Sequence, residues 1–290
     1  MCYNNFVSQY TRFKYQLLRL SKMLCCVVER LSEEFRVSEF VPQAFELTIG
    51  NGENGESVKS KVIDLPNGTL QLKGAIDRVD VFENNGVKYV RVVDYKSGTK
   101  EFNLSDILYG LNLQMFVYLF TLCESDSELA GISSGVLYMH SARSVYNMSR
   151  NTSDDELQKA DRKEFKMKGV VLNDNEHEIA QYMEKDLNEV FIPVKKKKDG
   201  TLSGNIVSFE DLGRISRKIN ELIYNMGCAL HSGYIMQNPI NAKNHDKTCE
   251  YCDYTDVCMN RKEIELTTLQ DYSFDEVLLK LREDEDAEVD

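Results

Sequence analysis

The stretch from Leu70 to Tyr95 constrains the fold more than any other part of this chain. Two β-rich runs, Leu70 to Phe82 and Val87 to Tyr95, flank Asn84-Asn85-Gly86. An Asn-Gly turn between two such runs is the strongest short-range sign of a β-hairpin. The second run passes through Val90, Val92 and Val93 before it reaches Asp94 and Lys96. A charged pair that ends an apolar strand is costly unless it is paired or holds a metal.

Other elements are arranged around this hairpin. Phe13, Leu17, Leu20, Met23, Leu24, Val27 and Leu31 repeat at helical spacing, so Gln9 to Glu34 reads as a long amphipathic helix. Phe40 to Ile49 is extended. Gly50-Asn51-Gly52-Glu53-Asn54-Gly55 is a loop or hairpin tip. Asp106 to Leu122 is a helix with an apolar face, and Gly135 to His140 a short strand. Arg143 to Asp161 is a polar loop, and Glu176 to Val190 and Glu210 to His231 are helices. Lys195-Lys196-Lys197-Lys198-Asp199-Gly200 is a basic turn, solvated or touching a DNA backbone. There are no internal repeats. This order of elements predicts a mixed α/β domain.

Composition bounds the setting. With 290 residues, 42% hydrophobic and 28% charged, the chain supports a substantial core. No apolar run reaches the length of a membrane span, and the polar N-terminus has no secretory signature, so a cytoplasmic protein is expected. The net charge of -12 argues against a simple DNA-coating protein. Part of that charge lies in Arg282 to Asp290, where six acids and one base give -5. Such a block is expected to be a solvated end.

Side chains alternate along a strand, so Asp94 and Lys96 share a face and Tyr95 points the other way. On the partner strand Asp77 and Asp80 are three apart and face opposite sides, so at most one joins Asp94. Two carboxylates suit Mg2+ through oxygen ligands. Such an ion polarises a phosphodiester and activates water, and a nearby lysine offsets charge on the phosphorane. The backbone carbonyl of Tyr95 would complete the ligand set. The competing reading is a salt bridge at a strand end. Gln114 and Tyr118, at i and i+4, share a helix face and either reach water and phosphate or sit at a polar edge. Arg78 is read as contacting a phosphate or pairing with an acid, the pair being slightly favoured. His140, His177, His231 and His245 are read as structural or exposed.

Gly74-Ala75-Ile76-Asp77-Arg78-Val79-Asp80, Val93-Asp94-Tyr95-Lys96-Ser97-Gly98 and Gly110-Leu111-Asn112-Leu113-Gln114 with Tyr118 together resemble the RecB-like branch of the PD-(D/E)xK nucleases. More closely, they are similar to the C-terminal nuclease region of the AddB family of bacterial AddAB helicase–nucleases. Phe165 to Leu172 and Cys249 to Cys258 follow the same pattern, so the likeness covers most of residues 10 to 260. The resemblance implies a restriction-endonuclease-like core, a central mixed sheet flanked by helices. It implies a Mg2+- or Mn2+-dependent DNA exonuclease domain acting in double-strand-break repair and recombination, with DNA and an AddA-like subunit as partners. Asp77 and Asp94 would be metal ligands, Lys96 the catalytic lysine, and Gln114 and Tyr118 the motif that follows. Glu46 would be a further ligand or only a strand-edge acid. The implied division is a helical lead-in over 1–42, the nuclease domain with its cysteine cluster over 43–260, and an acidic, partly disordered tail over 261–290.

Two features depart from the family. The helicase-like region that precedes the domain is absent, as is any Walker-type phosphate loop. The family's upstream histidine has no counterpart before His140. A fragment is therefore expected, with a catalytically incomplete DNA- or helicase-binding piece as the alternative.

Eight cysteines in a cytosolic setting are expected to be reduced. Cys25, Cys26, Cys123 and Cys228 lie in apolar helical surroundings and read as core thiols. Cys249, Cys252 and Cys258 have the spacing of zinc or iron–sulfur ligands. In the resembled family they hold a 4Fe-4S cluster whose fourth ligand is an upstream Cys-Pro cysteine. No Cys-Pro occurs here, which leaves Cys228 or Cys2 as substitutes.

Overall fold

The computed structural model describes residues 2–50, 57–98, 102–141, 152–153, 156, 160, 163–236, 238–241, 249, 252–254, 257–258 and 267–289. The apolar repeat begun at Phe13 lies in one long helix, α1 (Cys2–Val37). Towards its C-terminal end Val27, Arg30 and Glu34 are buried, while Phe13, Leu17 and Leu24 are exposed. β1 (Val41–Ile49), β2 (Ser57–Val58) and a small hairpin of β3 (Val62–Leu65) with β4 (Gly68–Gln71) follow. β5 (Gly74–Asn84) and β6 (Val87–Lys96) form the expected hairpin. Asn85 and Gly86 close it with φ of 52° and 80°, the left-handed pair that a two-residue hairpin turn requires. The run read as one strand from Leu70 is two, since Leu70 and Gln71 belong to β4.

Downstream come a 3-10 turn (Leu104–Tyr109), α2 (Gln114–Cys123), β7 (Ile132–His140) and β8 (Lys168–Leu172). A one-turn helix α3 (Ala180–Met183) precedes β9 (Val194–Lys196), β10 (Leu202–Gly204) and β11 (Ile206–Val207). α4 (Phe209–His231), the short pair β12 (Ile240–Asn241) and β13 (Thr267–Thr268), and α5 (Phe274–Val289) complete the order.

Seven strands make one mixed sheet in the order β11-β8-β7-β6-β5-β1-β2. β5–β6 and β5–β1 are antiparallel and β6–β7 is parallel. The architecture is thus α/β, a central mixed sheet between helices. One face meets the end of α1 and α3, where Phe82 contacts Phe40 and Tyr182. The other face meets α2, where Phe102 bridges Phe116 and Tyr138. Val90, Val92 and Val93 are fully buried between the layers, worth about 1.5–3 kcal/mol each.

Three segments depart from the sequence pattern. The helix expected over Asp106 to Leu122 is broken: Gly110 (φ 75°) ends the 3-10 turn, Asn112 (φ 53°) redirects the chain, and α2 starts at Gln114. The helix expected over Glu176 to Val190 is only α3. There the buried Glu184 carboxylate accepts from the backbone N–H groups of Asn188, Val190, Phe191 and Ile192 at 2.9–3.1 Å. Such a side chain competes with the helical ladder for donors, and Leu187 and Glu189 take positive φ around it. The acidic tail forms the helix α5 where partial disorder was expected, while Arg282, Glu283 and Asp284 are exposed as a charged end should be. Val277, Leu278 and Leu281 are buried, and Arg282, Asp284 and Glu285 pair with Asp211, Lys218 and Arg214 of α4.

Among the cysteines, Cys25 is exposed on α1, contrary to its reading as a core thiol. Cys26 and Cys123 do sit against the core, and burial pushes the Cys123 thiol up to about 11. The Lys195–Lys198 run starts in the β9–β10 hairpin, and its lysines are exposed. Residues 51–56, most of Arg143 to Asp161, and His245 lie outside the described residues. No helix among the described residues is long and apolar enough to cross a membrane.

Candidate active site

The site is built at the open end of the β5–β6 hairpin. The ladder pairs Val79 with Val92 and Arg78 with Val93, so Asp77 and Asp94 stand opposite each other on one face. Asp94 is 6% exposed. Lys96 Nζ pairs with Asp94 Oδ2 at 2.6 Å. That oxygen accepts no hydrogen bond among the described residues. Asp77 Oδ2 accepts from the Tyr95 backbone N–H at 2.9 Å. Lys96 is about one-third exposed, at 31%, and its carbonyl accepts from Ser141 N at 2.9 Å.

Glu46 lies between Phe45, which pairs with Arg78, and Leu47, which pairs with Ile76. That register sets it beside Asp77. It is exposed and holds φ 51° within β1, a left-handed turn that costs a non-glycine residue about 1–2 kcal/mol. Backbone strain of this kind concentrates at functional sites. Gln114 Nε2 donates to Tyr118 Oη at 3.0 Å. The Tyr118 hydroxyl lies against Gly74, where a Cβ would sit 1.9 Å from it. Glycine is required for that approach. The Gln114–Tyr118 pair therefore reaches the start of β5, and it does not hydrogen-bond Asp77, Asp94 or Lys96.

Asp80 is on the opposite face, as alternation predicts. It joins Arg78, Arg91 and Glu34 in a charged cluster in which every member is at most 2% exposed. Arg78 Nη2 donates to Asp80 at 2.9 Å and to Glu34 at 3.1 Å. Arg91 donates to Asp80 at 2.8 Å and to Glu34 at 2.5 Å. Burial pulls the Arg78 pKa down, but Asp80 and Glu34 outweigh it and the net shift is upward. Arg78 Nη1 also donates to the Tyr95 hydroxyl at 3.0 Å. Burial raises the Tyr95 pKa, against the pull of Arg78, so the phenol stays protonated.

Two neighbours escaped the sequence reading. β7 runs parallel to β6 and sets Tyr138 beside Asp94 and His140 beside Lys96. Burial, then Asp94 and Asp106, raise the Tyr138 pKa. His140 is half-buried: Nδ1 is 3.1 Å from Gly98 O and Nε2 is 3.3 Å from Glu164. The parallel β6–β7 pairing would have found both, but local pattern does not reveal pairing. The buried cluster did leave a local trace, because Arg78, Asp80 and Arg91 interrupt otherwise apolar strands.

No three His, Cys, Asp or Glu side chains among the described residues converge on one metal position. The donor chemistry at the carboxylates still fits a hard cation. Asp94 offers a buried carboxylate balanced by the half-buried Lys96 ammonium, and Asp77 commits one oxygen to Tyr95 and leaves the other. Oxygen donors of this kind suit Mg2+ or Mn2+. The thiols of Cys249, Cys252 and Cys258 are soft donors. Cys258 N donates to Tyr254 O at 2.8 Å, which turns this segment back on itself. Among the described residues these three thiols do not converge on one metal position, and Cys228 lies on α4 beside Tyr224.

The model of the PD-(D/E)XK nuclease superfamily matches residues 3–259 of the chain. The B subunit of the ATP-dependent helicase/deoxyribonuclease of Clostridioides difficile (strain 630) is 34% identical over 258 residues, covering 85% of this chain and 22% of that protein. The protein of the same name from Acetivibrio thermocellus is 32% identical over 286 residues, covering 95% of this chain and 24% of the relative. That from Clostridium novyi (strain NT) is 34% identical over 284 residues, covering 94% and 24%. The chain spans under a quarter of the length of these relatives.

Proposed function

The chain belongs to the PD-(D/E)XK nuclease superfamily, and on that premise we propose that it hydrolyses DNA phosphodiester bonds with Mg2+ or Mn2+. In this reading it is the exonuclease domain of a helicase–nuclease that acts in double-strand-break repair and recombination. Its partners are DNA and an AddA-like protein, and its compartment is the cytoplasm. The observation that carries the reading is the face shared by Asp77, Asp94 and Lys96, with the buried Asp94 carboxylate paired to the Lys96 ammonium at 2.6 Å.

Asp77 and Asp94 hold the divalent ion, with the Tyr95 carbonyl and Glu46 as further donors. When bound, that ion polarises the phosphodiester and lowers the pKa of attacking water. The chain's own groups do the rest. Water adds to phosphorus, one P–O ester bond breaks, and the leaving oxygen takes up a proton. Lys96 turns its ammonium from Asp94 towards the phosphoryl oxygens and offsets the charge that grows there. Gln114 and Tyr118 line the approach of the DNA strand along the start of β5. Cys249, Cys252 and Cys258 tie the C-terminal segment together through a 4Fe-4S cluster or zinc, a structural role.

The test is cleavage of linear DNA with Mg2+ or Mn2+, comparing the chain with Asp94→Ala. Metal-dependent cleavage that disappears in the variant supports the reading, and cleavage that survives overturns it. A second reading draws on the lack of three converging ligands among the described residues. Under it the chain binds DNA or a helicase partner without turnover, and DNA binding with no cleavage in either metal would favour it.

A further inference from the structure

The β5–β6 ladder ends one rung short of the site. Its last pair is Arg78 with Val93, and the next donor, the Tyr95 N–H, goes to the Asp77 carboxylate at 2.9 Å. The two strands that carry Asp77 and Asp94 are therefore not fastened to each other by main-chain pairing at the site itself. Fastening comes from behind. Tyr95 projects to the back face, where its hydroxyl accepts from Arg78 Nη1 at 3.0 Å. Arg78 is the residue after Asp77, and its other nitrogen is fixed by Asp80 and by Glu34 at the end of α1. A continuous path thus runs from Glu34 through Arg78 and the Tyr95 phenol to the Tyr95 N–H and Asp77.

The cluster is poorly designed for stability alone. Arg78 Nε, Asp80 Oδ1 and Arg91 Nη1 are buried without hydrogen bonds, and apolar replacements of buried ion pairs are often neutral or stabilising. Its geometry suits another task. We propose that Tyr95 and Arg78, anchored on Glu34, are positioning residues that set the orientation of Asp77 opposite Asp94 and so fix the affinity of the site for its divalent ion. The inference rests on the metal-site reading above. Supporting groups behind ligating carboxylates commonly change metal affinity by roughly 10–100-fold.

Tyr95→Phe is the direct test. It removes one oxygen and leaves the Arg78, Arg91, Asp80 and Glu34 charges balanced. Mn2+ binding to the full chain, read from the free-ion electron paramagnetic resonance signal, is expected to weaken about tenfold. The melting temperature is expected to fall by only a few degrees, because Arg78 Nη1 loses its acceptor. Cleavage should show a correspondingly higher half-saturating Mn2+ concentration, with most of kcat recovered at excess metal. Equal Mn2+ affinity in the two proteins would overturn the proposal, as would a kcat loss that excess metal does not restore. A variant that merely melts much earlier would also overturn it, because the phenol would then be acting as glue. Asp94→Ala separates this failure from that of the underlying reading. If wild type and Asp94→Ala bind Mn2+ equally, the metal site itself is wrong and both inferences fall.

Discussion

Asp94→Asn separates the chemistry of this side chain from its structural cost. The carboxylate is 6% exposed and its Oδ2 accepts no hydrogen bond. Leaving a buried acceptor unsatisfied costs about 1–3 kcal/mol. Asp77 opposite adds like-charge repulsion, itself unfavourable between facing strand residues. Against this stands Lys96 at 2.6 Å, but that side chain is 31% exposed, which limits the pair to about 1 kcal/mol or less. The amide removes the charge that Asp77 repels, but it keeps a buried acceptor, adds a buried donor and gives up the Lys96 pair. These opposing contributions are each about 1–3 kcal/mol, so the metal-free Tm is expected to stay within about 2–4 °C of wild type. The same change removes a ligand. With Mg2+ at about ten times its dissociation constant, wild type gains about 1.4 kcal/mol, or roughly 3–6 °C, and Asp94→Asn gains none. Thermal unfolding with and without Mg2+, run beside a DNA cleavage assay, reads all three quantities. A metal-free Tm more than about 10 °C from wild type, or an undiminished Mg2+ shift in the variant, would refute the reasoning.

Two further outcomes follow from other parts of the fold. Glu184→Gln turns an amide NH2 towards two of the four backbone donors held by the carboxylate. The expected loss is about 3 kcal/mol or more, read from urea unfolding, and a loss under about 1 kcal/mol would contradict the proposed role of this carboxylate in shaping the segment. Burial pushes the Asp211 pKa up, but hydrogen bonds from Arg282, Ser208 and Arg214 outweigh it and the net shift is downward. A depressed carboxylate stabilises fully above the ordinary value of about 3.9 and loses that contribution as the pH falls through the lower folded value. α5 should therefore come off α4 only in that acid range. Hydrogen exchange at Val277 and Leu278 should report this, and release already near neutral pH would count against it.

Much of the site was legible in the sequence because strand alternation is local and strict. The hairpin, the shared face of Asp94 and Lys96, and the separation of Asp77 from Asp80 all follow from a period of two and an Asn-Gly turn. The long α1 and α4 were legible for the same reason, from a period near 3.6. Elements were misjudged where a single side chain or turn outbids the pattern. Glu184 takes four N–H groups that a helix would have used, and Gly110 with Asn112 splits what looked like one helix. Charge alone did not show that the segment starting at Arg282 docks on α4, because its partners there, Asp211 and Arg214, are about 70 residues away in sequence. The same distance in sequence hid the rest of the site. Nothing near Glu34 announces that it meets Arg78 and Arg91, and nothing near His140 announces Lys96. The sequence alone determined which side chains face together on the hairpin. Only the tertiary structure decided what stands behind them, because buried charges find their partners through the packing of distant elements and not through spacing along the chain.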